Sequence, residues 1–271
     1  MKTLPHRSAP PDSEEILAGP HAILEALRAG RRRLRRILLA RQDVAGITES
    51  VLELARARGL PVEVRPRAEL DRLVAGGVHQ GIAAEAGPFP YRSPEEIVAR
   101  SRQGNEPGFL VVLDGVQDPQ NLGGIVRTVD AAGAHGLLLP RDRAASVTPA
   151  AVRASAGATE HVLIARVTNL ATFLAWVKGE GFWVVGADPN AGRDLYTVDL
   201  TVPLVLVIGS EERGLRPLVK SRCDLSVRIP LRGRVASLNA SVAAAVCLFE
   251  VVRQRKAEEN RLRLTEIRER E

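Results

Sequence analysis

The sequence predicts an α/β protein in which a small N-terminal α/β unit precedes a C-terminal, mostly parallel sheet with helices on both faces. Two features carry this prediction. Beyond Phe109, short and wholly apolar runs alternate with segments of helical period. Strands buried on both faces read in that continuous way, and helical crossovers join parallel neighbours. Upstream, a shorter α/β series is set apart by a stretch rich in Pro and Gly. With 271 residues, 45% of them hydrophobic, the chain can fill one large core or two of ordinary size.

Residues 1–14 lack a periodic apolar pattern and are expected to be disordered. His21-Ala-Ile-Leu-Glu-Ala-Leu27 has helical period, Arg36-Ile-Leu-Leu-Ala40 reads as a strand, and Ile47 to Arg58 reads as a helix. Val62-Glu-Val64 and Gly81-Ile-Ala-Ala-Glu85 complete a unit over 15–87. Gly87-Pro-Phe-Pro-Tyr-Arg-Ser-Pro94 and Gln103-Gly-Asn-Glu-Pro-Gly108 punctuate a weakly helical linker over 88–107. The second unit, 108–255, alternates strands at Leu110–Leu113, Gly136–Leu139, Val162–Ala165, Phe182–Val185 and Leu204–Ile208 with helices at Leu122–Ala132, Pro149–Ala158 and Leu170–Lys178. Residues 256–271 form a tail of mixed charge, expected to be a solvated helix end.

A net charge of +6, from 38 Lys and Arg against 32 Asp and Glu, permits a nucleic-acid partner without requiring one. The two cysteines, Cys223 and Cys247, have no Cys or His at metal spacing, which suits a reduced cytoplasmic protein without a metal. No apolar run approaches the roughly 20 residues that span a bilayer, so no membrane partner is expected.

Three segments carry chemistry. In Asp114-Gly-Val-Gln-Asp-Pro-Gln-Asn-Leu-Gly-Gly-Ile-Val-Arg-Thr-Val-Asp130, Leu122, Ile125, Val126 and Val129 form an apolar stripe from which Arg127 departs. Taken alone, Asn121 reads as an N-cap and Arg127 as a solvated cation. In Ile208-Gly-Ser-Glu-Glu-Arg-Gly-Leu215, glycines permit close backbone approach and Glu211 supplies a carboxylate at a strand end, although an ordinary turn has the same composition. Neither a P-loop nor a Gly-x-Gly-x-x-Gly fingerprint is present, which argues against ATP and adenine dinucleotides. Ser237-Leu-Asn239 precedes a helix with Val242, Val246 and Phe249 on one face, so Ser237 alone reads as its N-cap.

Asn121 with Arg127, Gly209 with Glu211, and Ser237 with Asn239, in that order over 109–255, resemble the SpoU family of the SPOUT superfamily. Gly19-Pro-His-Ala-Ile-Leu-Glu-Ala-Leu27 and Val78-His-Gln-Gly-Ile82 resemble the substrate-binding domain of its bacterial 23S ribosomal RNA guanosine 2′-O-methyltransferase branch. The resemblance implies an L30e/L7Ae-like N-terminal domain and a deep trefoil knot in the second unit, a topology nearly absent elsewhere. It implies S-adenosyl-L-methionine as cofactor, held by Gly209, Ile229 and Leu238, with Asn121, Arg127, Glu211, Ser237 and Asn239 as catalytic residues. It implies a homodimer, whose contact would lie on the small-faced helix after Ser237.

The resemblance assigns Arg127 as general base at the ribose 2′-hydroxyl. A guanidinium carries no acceptor while charged. Stabilisation of the developing alkoxide, with proton transfer to a nucleotide phosphate or Glu211, is the alternative. The tract Arg31, Arg32, Arg33, Arg35 and Arg36 is the densest basic cluster and is the candidate for RNA phosphate contact, with a solvated basic turn as the bland reading. Arg141, Arg143, Arg232 and Arg234 are candidates for added contacts, whereas His21 and His79 receive no proton-transfer role. Ribosomal RNA is the expected partner, with transfer RNA methylation or non-catalytic binding of structured RNA as alternatives.

Overall fold

A computed structural model describes residues 14–40, 45–75, 77–210, 214–234 and 237–268. Residues 1–13, most of the segment expected to be disordered, and Glu211, a candidate catalytic residue, lie outside the described residues. The chain forms two compact units, one of residues 1–90 with 147–161 and the other of residues 91–146 with 162–271.

The first unit contains β1 (Glu15–Ala18), α1 (Pro20–Ala29), β2 (Leu34–Leu39), α2 (Ile47–Ala57), β3 (Val62–Val64), α3 (Arg67–Leu73) and β4 (Ile82–Ala86). Its four-stranded sheet has the order β1-β4-β2-β3, with β4 antiparallel to both neighbours and β2 parallel to β3. Helix α1 begins at Pro20, whose missing N–H is harmless there, and ends at Gly30, which adopts φ 62°. Its apolar face buries Ile23, Leu24 and Leu27.

The second unit contains α4 (Pro94–Arg100), β5 (Phe109–Asp114), α5 (Pro119–Ala131) and β6 (Gly136–Pro140). After α6 (Pro149–Ala154), which groups with the first unit, come β7 (Ile164–Val167), α7 (Leu170–Gly179), β8 (Trp183–Ala187), β9 (Arg193–Asp194), β10 (Leu204–Gly209), α8 (Pro217–Lys220), β11 (Leu225–Arg228) and α9 (Ala240–Arg268). The seven-stranded sheet runs β7-β6-β5-β10-β8-β11-β9, and every pairing in it is parallel. Its strands are buried as the continuous apolar runs require, with Leu110, Val112, Leu138, Val184, Val205 and Val207 in one cluster.

Two expectations about domain limits change. Residues 91–107 belong to the second unit rather than to a linker, because α4 buries Ile97 and Val98 in that cluster. Such burial stabilises by about 1.5–3 kcal/mol per side chain. Ser93 caps this helix by accepting the Glu96 N–H at 3.1 Å. The helix expected at Pro149–Ala158 ends at Ala154, and with a short 3-10 turn at Ala158–Glu160 it packs against β1 and α1 of the first unit.

Helix α9 runs on into the charged segment as far as Arg268 and packs against α5. The approach is close at Gly124, where an added Cβ would stand 3.2 Å from that of Ser241. Farther along, the Leu200 N–H donates to Gln254 Oε1 at 2.8 Å, and Gln254 Nε2 donates to the Val198 carbonyl at 3.0 Å. The Arg255 guanidinium donates to the Pro107 and Val202 carbonyls at 2.6 and 2.9 Å and lies over the Phe109 ring. These contacts fix α9 to the amino ends of the strands and leave its first turn at their carboxyl ends. Val242 and Phe249 are exposed, while Ala244, Leu248 and Val251 face the core.

Candidate active site

The carboxyl ends of β5, β10, β8 and β11 lie side by side. Asp114 is in register with Gly209, Ile208 with Ala187, and Ala187 with Val227. In parallel α/β sheets this edge is where ligands bind. A cavity of about 410 Å³ opens there. Gly209, Ile229 and Leu238, expected around a cofactor, line it together with Ser237.

Gly209 is required by the chain's own backbone. A Cβ at this position would stand 2.3 Å from the Gly214 carbonyl carbon and 2.6 Å from the Leu215 nitrogen. Ser210 and Gly214 exchange backbone hydrogen bonds of 3.1 and 2.9 Å, which hold that return. Arg216 anchors it further, donating from N–H and Nε to the buried Asp114 carboxylate at 2.7 and 2.5 Å.

Asn121 and Asn239, 118 positions apart in sequence, meet directly, with Asn239 Nδ2 donating to Asn121 Oδ1 at 2.9 Å. The isolated readings of both caps are corrected here. Asp118 caps α5 by accepting the Gln120 N–H, and Asn121 is buried within the first turn. Asn239 caps α9, its Oδ1 accepting from the Ser241 N–H and Oγ at 3.0 and 2.6 Å, which leaves Ser237 exposed at the cavity. One amide thus satisfies a helix N-terminus with its oxygen and joins the two helices with its nitrogen. Arg127 is exposed on α5, off the buried stripe.

Asp188 and Lys220, which the sequence reading missed, line the same cavity as an ion pair. Burial opposes ionisation of Asp188, yet Lys220 and the Asn190 N–H hold its carboxyl below the usual range. Asp114 ends the apolar strand β5 and Asp188 directly follows β8, so each places a carboxylate at a strand end, the sequence signal that also marks Glu211. Burial pushes the Cys223 thiol up to about 11 and the Cys247 thiol to about 12, so neither is a thiolate nucleophile. Among the described residues no cluster could hold a metal ion, and no helix is long and apolar enough to cross a membrane.

Much of the basic tract on the first unit is engaged in internal ion pairs and hydrogen bonds. Arg32 is buried, donates to the Gly87 carbonyl at 2.8 Å and pairs with Glu15 and Glu160. Arg31 donates to the carbonyls of Glu160 and His161 at 3.2 and 2.7 Å. Arg36 bridges Glu63 and Glu85 at 3.0 and 2.6 Å, and Arg35 pairs with Glu14. The tract enters β2, and carboxylates from β1, β3, β4 and the 147–161 segment meet it there. Arg33 is exposed, as are Arg141, Arg143, Arg232 and Arg234 on the second unit. His79 is buried between Asp71 and the Gly81 N–H, a structural arrangement.

Residues 108–249 match the SpoU rRNA Methylase family, and residues 16–92 match the domain described as RNA 2′-O ribose methyltransferase substrate binding. The chain is 42% identical over 241 residues to a putative TrmH family tRNA/rRNA methyltransferase of Bacillus subtilis, covering 89% of this chain and 96% of the relative. It is 41% identical over 245 residues to the 23S rRNA (guanosine-2′-O-)-methyltransferase RlmB of Pseudomonas putida, covering 89% and 97%. The SpoU methyltransferase AviRb from Streptomyces viridochromogenes, crystallised with AdoMet, superposes with a TM-score of 0.75 at 29% identity, covering 90% of this chain and 91% of that one. The folded units and the sequence agree in assignment: this chain belongs to the SpoU rRNA methylase family.

Proposed function

We propose that this protein is an S-adenosylmethionine-dependent RNA 2′-O-ribose methyltransferase acting on a guanosine of 23S ribosomal RNA. The observation that carries the reading is the meeting of Gly209, Ile229, Ser237 and Leu238 at one cavity on the sheet's carboxyl edge, with Asn121 bonded to Asn239 on the helices behind it. The cavity suits the cofactor. Its volume falls in the range of about 300–1,000 Å³ usual for small-molecule clefts, and it offers apolar surface from Ile229 and Leu238, exposed backbone at Gly209, and polar groups at Asp188 and Ser237. The name of the Pseudomonas putida relative and the AdoMet complex of AviRb support this choice of substrate and cofactor.

Bound S-adenosylmethionine supplies a methyl group on a sulfonium. Gly209, Ile229 and Leu238 hold it, and in-line attack by the ribose oxygen makes orientation a large share of catalysis. Arg127, exposed on α5, donates to the 2′-oxygen and stabilises charge that develops as the hydroxyl proton passes to a nucleotide phosphate or to Glu211. Asn121 and Asn239 fix α5 against α9 and so set the position of Arg127 relative to Ser237; Glu211 acts with them at the acceptor. Exposed Arg33, Arg141, Arg143, Arg232 and Arg234 contact phosphates. The same reading includes the knotted path, cytoplasmic location, and a homodimer using the exposed Val242 and Phe249 face of α9.

The test is incubation with tritiated S-adenosylmethionine and unmodified 23S ribosomal RNA or transfer RNA, followed by mapping of ribose methylation. Label on a guanosine of 23S RNA is expected. Label in transfer RNA alone would replace the substrate, as the tRNA/rRNA wording of the Bacillus subtilis relative's name allows. No incorporation into either would favour a non-catalytic RNA-binding protein.

A further inference from the structure

We infer that Asp188 binds the ribose diol of the cofactor, accepting hydrogen bonds from its hydroxyls while Lys220 holds the carboxylate in place; the inference rests on the cofactor reading above. Asp188 directly follows β8, one strand over from Gly209, and is nearly buried while lining the cavity. Asp188 and Lys220 are the charged side chains among the described residues of that lining, and they pair with each other. The Asn190 N–H donates to Asp188 Oδ1 at 2.8 Å. A carboxylate has about four acceptor sites, so lone pairs remain for a ligand.

The pairing selects the ligand group. A cationic ammonium beside Asp188 would meet the Lys220 charge, and like charges repel. Neutral hydroxyl donors meet no such penalty. A carboxylate near the carboxyl end of a parallel strand also accepts from a nucleoside ribose in dinucleotide-binding folds. The Asx-type turn at Asn190 holds the carboxylate in position, so little ordering is required on binding.

The experiment is calorimetric titration of S-adenosylmethionine and its 2′-deoxy and 3′-deoxy analogues into the wild-type chain and Asp188→Asn. Removing a hydroxyl that bonds a charged group should weaken wild-type binding about tenfold or more. Asp188→Asn should weaken binding of the parent cofactor and reduce its preference over the analogues to less than about threefold. Should Asp188→Asn not fold, Asp188→Ser takes its place in the same series. Wild-type binding of all three ligands with equal affinity, or undiminished preference in the variant, overturns the role of Asp188 while leaving the cofactor reading standing. A wild-type chain that binds none of them overturns both.

Discussion

Gly209→Ala adds one methyl group where the structure has no room for it. The new Cβ would sit 2.3, 2.5 and 2.6 Å from backbone atoms of Gly214 and Leu215, well inside van der Waals contact. A flexible side chain could rotate away; backbone cannot. Relief requires the chain at Gly214 and Leu215 to retreat, which strains the Ser210–Gly214 bonds and the Arg216 bonds to Asp114. Overpacking of this kind costs about 1–3 kcal/mol. At roughly 2–4 °C per kcal/mol for a unit of this size, the melting temperature should fall by roughly 2–12 °C. Because the displaced backbone borders the cavity, calorimetry should also show weaker S-adenosylmethionine binding. Gly192→Ala, with open space around its added Cβ, serves as the control and should change neither quantity. Wild-type melting and affinity in Gly209→Ala would refute the steric argument.

Three further outcomes are expected. Asn121→Ala removes the acceptor of the Asn239 amide in a buried position, so chemical denaturation should show a loss of about 1–2 kcal/mol and methyl transfer should fall with it. Arg127→Ala, at an exposed site, should leave unfolding within about 0.5 kcal/mol of wild type and cofactor affinity unchanged while abolishing incorporation of tritium; wild-type turnover would remove Arg127 from catalysis. His135 accepts the Phe109 N–H through Nδ1 at 3.0 Å, and burial holds its pKa below the usual histidine value. Between the folded and unfolded values the unfolded chain binds more protons, so this contribution is complete above about pH 6.5 and is lost as pH falls through the lower folded value. Thermal melts from pH 8 to pH 5 should therefore decline less in His135→Ala than in wild type over that window.

Much of the second unit was legible in the sequence because its strands are buried on both faces. Leu110–Leu113, Gly136–Leu139 and Leu204–Ile208 read as continuous apolar runs, and each is a strand within a residue or two of its expected limits. The shortest strand was not legible: β9 is two residues long and offers no burial pattern over enough positions to register a period. The capping arrangement was misread for another reason. Ser237 and Asn239 are both good N-cap residues, and the choice between them depends on which oxygen reaches the Ser241 N–H, a matter of position in space.

The arginine tract shows the same limit on charge. A run of cations in the sequence states how much charge is present and says nothing of where carboxylates from distant strands will fall. Glu160 lies 128 positions from Arg32, yet the two share a buried pair. Likewise, the sequence by itself determined the fold class, the apolar strands and the three polar segments, because local periodicity and composition report burial and chain propensity directly. Tertiary structure alone decided that Asn121 meets Asn239, that Gly209 yields space to Gly214 rather than only to a ligand, and that Asp188 stands beside it in the cavity. Those outcomes depend on strand order and register, which are set by long-range packing across the parallel sheet and leave no periodic trace in the residues that they bring together.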